Sequence, residues 1–455
     1  MKTKKWLGIL SSVGLPLLFG VVIFVLWQTQ VLHSWLGTDT ITLPLPTRIG
    51  EIISQNKDSI KDACDIGVTS YKVFMVYDFG VKDGVFYQLL AKSKEFGALI
   101  AVHAENNELV NTLTEKYISE GKTDAWYHYM SRPEFVEGEA DERAINLAKA
   151  ANAPLYIVHL ANKQGVEAVT RAKDEGYEIY AETCPQYLEF TSDVYKRADG
   201  RNFICSPPMK GKESQDAIWE AIRRGDIDTI ATDHCPFQQS EKDWGFHDFR
   251  KIPNGCAGIE NMYPYMLGKA NDGIISFEKA VELCSTNPAK IFGCTEKGKI
   301  TPGKDADIVI YDPAKEFTIH QENMHSDCDH TIWEGVTVHG YPVQTYSRGK
   351  LVFDNGEFVG ERGWGKFVKC ARHKAKRMSA LRSADKNTRD GRCGSRAGEI
   401  RGTDRRPLNG ILQSKMREPV LPFIVGSRKR IRNVRKRPQS RMGRNSLQDD
   451  RLHQT

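Results

Sequence analysis

Apolar and polar positions change rhythm three times along this chain. Trp6 to Trp27 reads WLGILSSVGLPLLFGVVIFVLW, 22 residues without a charge, behind Lys2, Lys4 and Lys5. That length predicts a transmembrane helix over 6–27 with its basic flank inside. A secretory signal is the competing reading, but no clear small-x-small cleavage site follows. From Ser59 the period turns helical, with Ile60, Ala63 and Ile66 on one side, and short apolar runs then alternate with stretches such as 84–96 and 144–151. The runs 71–77, 99–103, 155–159, 178–181 and 229–232 predict strands. Their alternation with helices predicts a parallel α/β sheet, open or closed into a barrel. After a predicted helix over 277–283, ADIVIYD and PVQTYSRGKLVFDNGEFV predict antiparallel strands that turn at Asn355 and Gly356.

Charge sharpens the boundaries. Residues 371–455 hold 24 Lys and Arg against 7 Asp and Glu, a net of +17, so the whole-chain value of +6 leaves −11 on the remainder. With few aromatics and no sustained apolar period, the segment from 370 to 455 is expected to be a disordered tail. Runs such as SRKRIRNVRKRP could neutralise phosphates, yet no folded reader accompanies them, so nucleic acid is not expected as a partner. Ten cysteines are scattered without a CxxC pair, which fits reduced thiols in a cytoplasmic body better than a disulfide framework or a cysteine-based metal site.

The predicted strands end in, or closely precede, polar residues that folding does not require. Lys72 lies inside YKVFMVY, His103 ends ALIAVHAEN, His159 ends PLYIVHL, and Asp233 ends DTIATDH. Taken singly, a strand histidine is more often a hydrogen-bonded core residue, and an Asp before a helix an N-cap. A buried lysine is costly without a partner. In a (β/α)₈ barrel the C-terminal strand ends converge on one mouth, so the four together point to a site.

Ten segments, among them TSYKVFMVY, AVHAENNELV, PLYIVHLANKQG, YAETCPQYL, FICSPPMKG, TIATDHCPF, IPNGCAGIE and STNPAKIFG, follow one another in the order of the dihydropyrimidinase/hydantoinase family of cyclic amidases. The body therefore resembles that family over about residues 57–369. The resemblance implies a TIM-type (β/α)₈ metallo-hydrolase barrel beside a small β-sandwich, and hydrolytic ring opening of dihydropyrimidines and hydantoins by a hydroxide bridging two divalent ions. By the same resemblance, Lys72 becomes a carbamate by reaction with carbon dioxide and bridges the ions, His103 and His159 bind the second, and Asp233 binds the first and relays a proton. Zinc suits such a mixed nitrogen and oxygen site. Tyr77 would steady the developing oxyanion, and Ser206 and Asn254 would bind the substrate amide through main-chain groups. A homotetramer is also implied.

The pattern departs from the family at the front. None of the twelve histidines forms the His-x-His pair expected on the first barrel strand, and only His33 precedes Lys72. If Lys72 lies on the fourth strand, the barrel is incomplete. TITLPLPTRIGEIISQN resembles the start of an ABC-transporter permease, so residues 1–56 are expected to be a foreign, membrane-anchoring segment. The expected division is 1–56, a barrel part over 57–300, a β-sandwich part over 301–369, and the tail. Weak activity is the corresponding expectation, with a catalytically silent scaffold of the collapsin response mediator type as the alternative.

Overall fold

The computed structural model describes residues 59–374. The expectations for 1–56 and for nearly all of the basic tail lie outside them. Among the described residues no helix is long and apolar enough to cross a membrane.

Five strands form one parallel sheet in chain order: β1 (Ser70–Phe74), β2 (Leu99–His103), β3 (Leu155–Ile157), β4 (Ile179–Thr183) and β5 (Thr229–Ile230). β2 is buried at every position, as a parallel strand covered on both faces must be. Helices Asp83–Phe96, Glu134–Ala151, Lys163–Asp174 and Lys212–Arg224 supply the crossovers. Their ends are written in the sequence. Asn162, before Lys163–Asp174, accepts from the Gly165 N–H at 2.8 Å, and Asn106 does the same for the helix Asn107–Ser119, accepting from the Leu109 N–H at 3.1 Å, which satisfies donors that a helix start leaves free.

Side chains alternate across a strand, and the register turns that alternation into two faces. Lys72 lies opposite Ala101, Ala101 opposite Tyr156, and Tyr156 opposite Tyr180; Phe74 lies opposite His103. These positions share the inner face, where Leu99, Ala101, Tyr156, Val158 and Ile291 form a small cluster. The other parity, including Ile100, Val102, Leu155, Ile157, Ile179 and Ala181, packs outward against Phe86, Leu90, Ala144 and Ala148 of the helices.

Three of the expected strands are shorter than their apolar runs. β1 ends at Phe74, β3 at Ile157 and β5 at Ile230, because the chain then leaves the ladder through the left-handed residues Tyr77, His159 and Asp233. The predicted helix over 144–151 begins earlier, at Glu134, and the one over 277–283 passes into a π turn at Glu282. The antiparallel part is a single four-stranded sheet among the described residues, β6 (Ile308–Thr318), β7 (Thr337–Ser347), β8 (Lys350–Asp354) and β9 (Glu357–Phe358), not a two-sheet sandwich. Asn355 and Gly356 make its last turn with φ 52° and 102°.

Residues 370–373 run as a strap beneath the parallel sheet. Cys370 N–H donates to the Gly67 carbonyl at 3.0 Å, Ala371 N–H to Gly293 at 2.8 Å and His373 N–H to Gly97 at 2.7 Å. Gly97 and Gly293 have φ +72° and +71°, and a Cβ on either would run into the strap's own backbone. Glycine is therefore required there twice over.

Candidate active site

At the C-terminal ends of β2 and β3 two imidazoles meet. His103 and His159 are each 2% exposed, and their rings lie edge to face with centroids 4.6 Å apart. Phe74 stacks on His103 from the neighbouring strand at 5.4 Å. Burial lowers the pKa of both histidines, and for His159 the facing His103 and Lys72 lower it further. Both rings are thus neutral, the form in which imidazole binds a metal.

Their two environments differ. His103 Nε2 lies 2.8 Å from Glu105 Oε2, and Arg132 Nη1 donates to the same oxygen at 2.7 Å. Burial would push the Glu105 carboxyl up, but the Arg132 guanidinium and His103 hold it well below the usual carboxylate range. The carboxylate therefore accepts from His103 Nε2–H, which leaves the Nδ1 lone pair free. His159 keeps neither nitrogen engaged: Nδ1 and Nε2 are both buried without a hydrogen-bond partner. A buried polar atom left unpaired costs roughly 1–3 kcal/mol and calls for an explanation. A divalent ion on one of these nitrogens would account for that nitrogen while the other keeps the ring's proton, so the residues present fit the metal that the resemblance implies.

Three of the six described non-glycine residues with positive φ are candidates: Tyr77 at 74°, His159 at 41° and Asp233 at 45°. Such backbone strain concentrates at functional positions. Tyr77 is held by its N–H, which donates to Asn107 Oδ1 at 2.9 Å. Burial raises the pKa of its hydroxyl, which reaches the Ser206 side chain. Ser206 Oγ in turn donates to Asn254 Oδ1 at 3.1 Å. Ser206 and Asn254 are therefore joined, and the Arg132 guanidinium lies 5.8 Å from the Tyr77 ring centre.

Two other expected ligands are more open to solvent. Lys72 is exposed rather than buried, because β1 is the edge of the sheet among the described residues; its Nζ lies 5.0 Å from the Phe74 ring centre. Asp233 is half-buried at the end of β5, and among the described residues no group of three or more His, Cys, Asp or Glu side chains comes together to hold a metal. A cavity of ≈ 380 Å³ opens beside Asp233, lined by His234, Phe237, Gln238, Glu260 and His325. Within its wall His234 Nδ1 accepts from the N–H groups of Gly258 and Ile259 at 3.1 and 3.3 Å.

Sequence reasoning missed the charged layer behind the imidazoles. Glu105, Arg132, Glu137 and Lys210 are all buried. Lys210 Nζ donates to the Arg132 carbonyl at 2.8 Å and lies 3.4 Å from Glu137 Oε2, while Glu137 Oε1 accepts from Ala161 N–H at 2.8 Å. The available signal was Glu137 and Asp141, which stand one turn apart in line with Ala144 and Ala148 on the buried face of their helix.

A parallel sheet that delivers neutral, buried imidazoles from adjacent strand ends is the arrangement of barrel-type hydrolases. The chain belongs to the amidohydrolase family, whose model matches residues 19–352. It is 42% identical over 316 residues to a D-hydantoinase of Ralstonia pickettii, covering 68% of this chain and 69% of that one. The crystal structure of a dihydropyrimidinase from Brevibacillus agri superposes with a TM-score of 0.69 at 38% identity, over 71% of each chain. An L-hydantoinase from Arthrobacter aurescens superposes with a TM-score of 0.66 at 33% identity, over 69% of this chain and 71% of that one.

Proposed function

We propose that this chain carries the machinery for hydrolytic ring opening of cyclic amides such as dihydropyrimidines and hydantoins. The observation that carries the reading is the His103 and His159 pair, neutral, adjacent, and with His159 unpartnered in a buried position. His103 Nδ1 and His159 would hold a divalent ion, with Lys72 as its carbamate and Asp233 as further ligands. Zinc bound there would supply Lewis acidity and lower the pKa of water.

The chain's own groups account for the remaining steps. Ser206 and Asn254 present main-chain groups to the ring amide and fix its orientation. Tyr77 keeps its proton because its hydroxyl is buried, so it donates to the carbonyl oxygen as charge builds there. Asp233 accepts the proton of the attacking water and returns it to the departing ring nitrogen, which is released as the terminal NH2 of a ureido group while the acyl carbon becomes a carboxylate.

A silent scaffold is the second reading, favoured by the exposure of Lys72 and the absence of a His-x-His pair in the sequence. Ring opening of dihydrouracil and hydantoin, followed in the ultraviolet with added zinc and bicarbonate, separates the two. Turnover that is lost in His159→Ala and Asp233→Asn supports the enzyme. A folded, zinc-binding chain with no turnover supports the scaffold.

A further inference from the structure

The strap beneath the sheet brings two thiols face to face. Cys294 Sγ and Cys370 Sγ are 3.6 Å apart although 76 residues separate them in sequence. The backbone fixes this meeting. Ala371 N–H donates to the Gly293 carbonyl at 2.8 Å, which sets the residue before Ala371 beside the residue after Gly293. A disulfide requires the sulfur gap to close to about 2 Å.

We propose that Cys294 and Cys370 are a reversible dithiol–disulfide site that locks the strap to the floor of the sheet. Both cysteines are half-buried, so a small oxidant reaches them. A second contacting pair, Cys205 and Cys256, is only 2% and 6% exposed and is shielded. The oxidant is a low-molecular-weight disulfide such as oxidised glutathione. One protein thiolate attacks it, forming a mixed disulfide and releasing one glutathione thiolate. The second protein thiolate then attacks the protein sulfur of that mixed disulfide and releases the other glutathione. Two protein thiols thus lose two protons and two electrons, and one glutathione disulfide becomes two thiols.

The lock has a defined structural reach. The strap binds the turns before β1 and β2 through Gly67 and Gly97. His373 Nε2 lies 3.3 Å from Glu178, just before β4. Arg372 Nη1 donates to the Phe96 carbonyl at 3.0 Å. A covalent bond at Cys294 therefore ties several strand starts together at the end of the sheet opposite the imidazoles, and it does so whatever reaction the mouth performs.

The test uses the full chain equilibrated with oxidised or reduced glutathione at about pH 8.5; burial and the neighbouring Cys294 push the Cys370 thiol up to about 11, so little of it is thiolate there and the exchange is given time to reach equilibrium. Peptide mapping should find the Cys294 and Cys370 peptides joined, with two fewer alkylatable thiols. The melting temperature should rise by roughly 5–10 °C, as expected for closing a long loop. Cys294→Ser and Cys370→Ser should each abolish the joined peptide and the shift while leaving the reduced chain's melting temperature nearly unchanged. The pair should also join at least about ten times faster in the folded chain than in urea. Separate glutathione adducts on both cysteines, a bond from either to another cysteine such as Cys393, or equal rates in urea would each overturn the proposal.

Discussion

Replacing Arg132 with Leu probes whether the charged layer behind the imidazoles holds the site together. Arg132 is 8% exposed and Glu105 is 0% exposed. The guanidinium is the cation that contacts Glu105, at 2.7 Å, and Glu105 Oε1 already has no hydrogen-bond partner. Deleting the guanidinium leaves a buried carboxylate with only the neutral His103 ring against it. Breaking one side of a buried ion pair typically costs about 3–5 kcal/mol, an apparent fall in melting temperature on the order of 10 °C. The loss should persist at high salt, because ions screen buried pairs poorly. Thermal and urea unfolding of the wild type, Arg132→Leu, Glu105→Gln and the double variant form the assay. The double variant should recover part of the loss, since a neutral amide needs no counterion. A loss below about 1 kcal/mol, or a double variant no more stable than Arg132→Leu alone, would refute the reasoning.

Burial pushes the Glu137 carboxyl up to about 7 against the pull of Lys210. A group held above its unfolded value stabilises below that value and loses the contribution as pH rises through about 7, so the wild type should lose more melting temperature than Glu137→Gln between about pH 5 and pH 8. Lys242 Nζ donates to the carbonyls of Ile204, Pro253 and Gly255 at 3.0, 2.7 and 2.7 Å; Lys242→Met should cost about 3 kcal/mol in urea unfolding because these acceptors lose their donor. Gly293→Ala, which drives a methyl into the Ala371 carbonyl, should raise the rate of tryptic cleavage near Arg372 several-fold. Elemental analysis should find no more than about one tightly held zinc per chain, lowered at least about tenfold in affinity by His159→Ala; two tight ions would contradict the reading of a depleted first metal position.

How far the sequence could be read depended on whether a feature was local. The five strands and His103 were legible because an unbroken apolar run ending in a polar residue is local information, and β2 is such a run. His159 and Asp233 were legible as residues but not as conformations: their left-handed backbones shorten the strands, and nothing in a period-2 pattern marks that. An apolar run around Lys72 implies a costly buried cation, whereas its exposure follows from which strand lies at the sheet edge among the described residues, a property of the assembled sheet. Glu105 and Arg132 are 27 residues apart, and only folding makes them a pair. Glu137 and Asp141 could have been found, since two carboxylates one turn apart on an alanine-lined helix face violate the helix's own pattern.

The strap also imposes a timetable. The parallel sheet is complete once Ile230 has been made, but its floor is closed by residues 370–373, roughly 140 residues later. At about 5–20 residues per second, synthesis leaves that floor uncovered for something like 7–30 seconds. During this interval the carbonyls of Gly67 and Gly97, and that of Gly293 once it has been made, have only water to bind. A nascent chain in this state is where a chaperone would engage, and a pause between codons 231 and 370 would lengthen its exposure without altering a single contact of the finished protein.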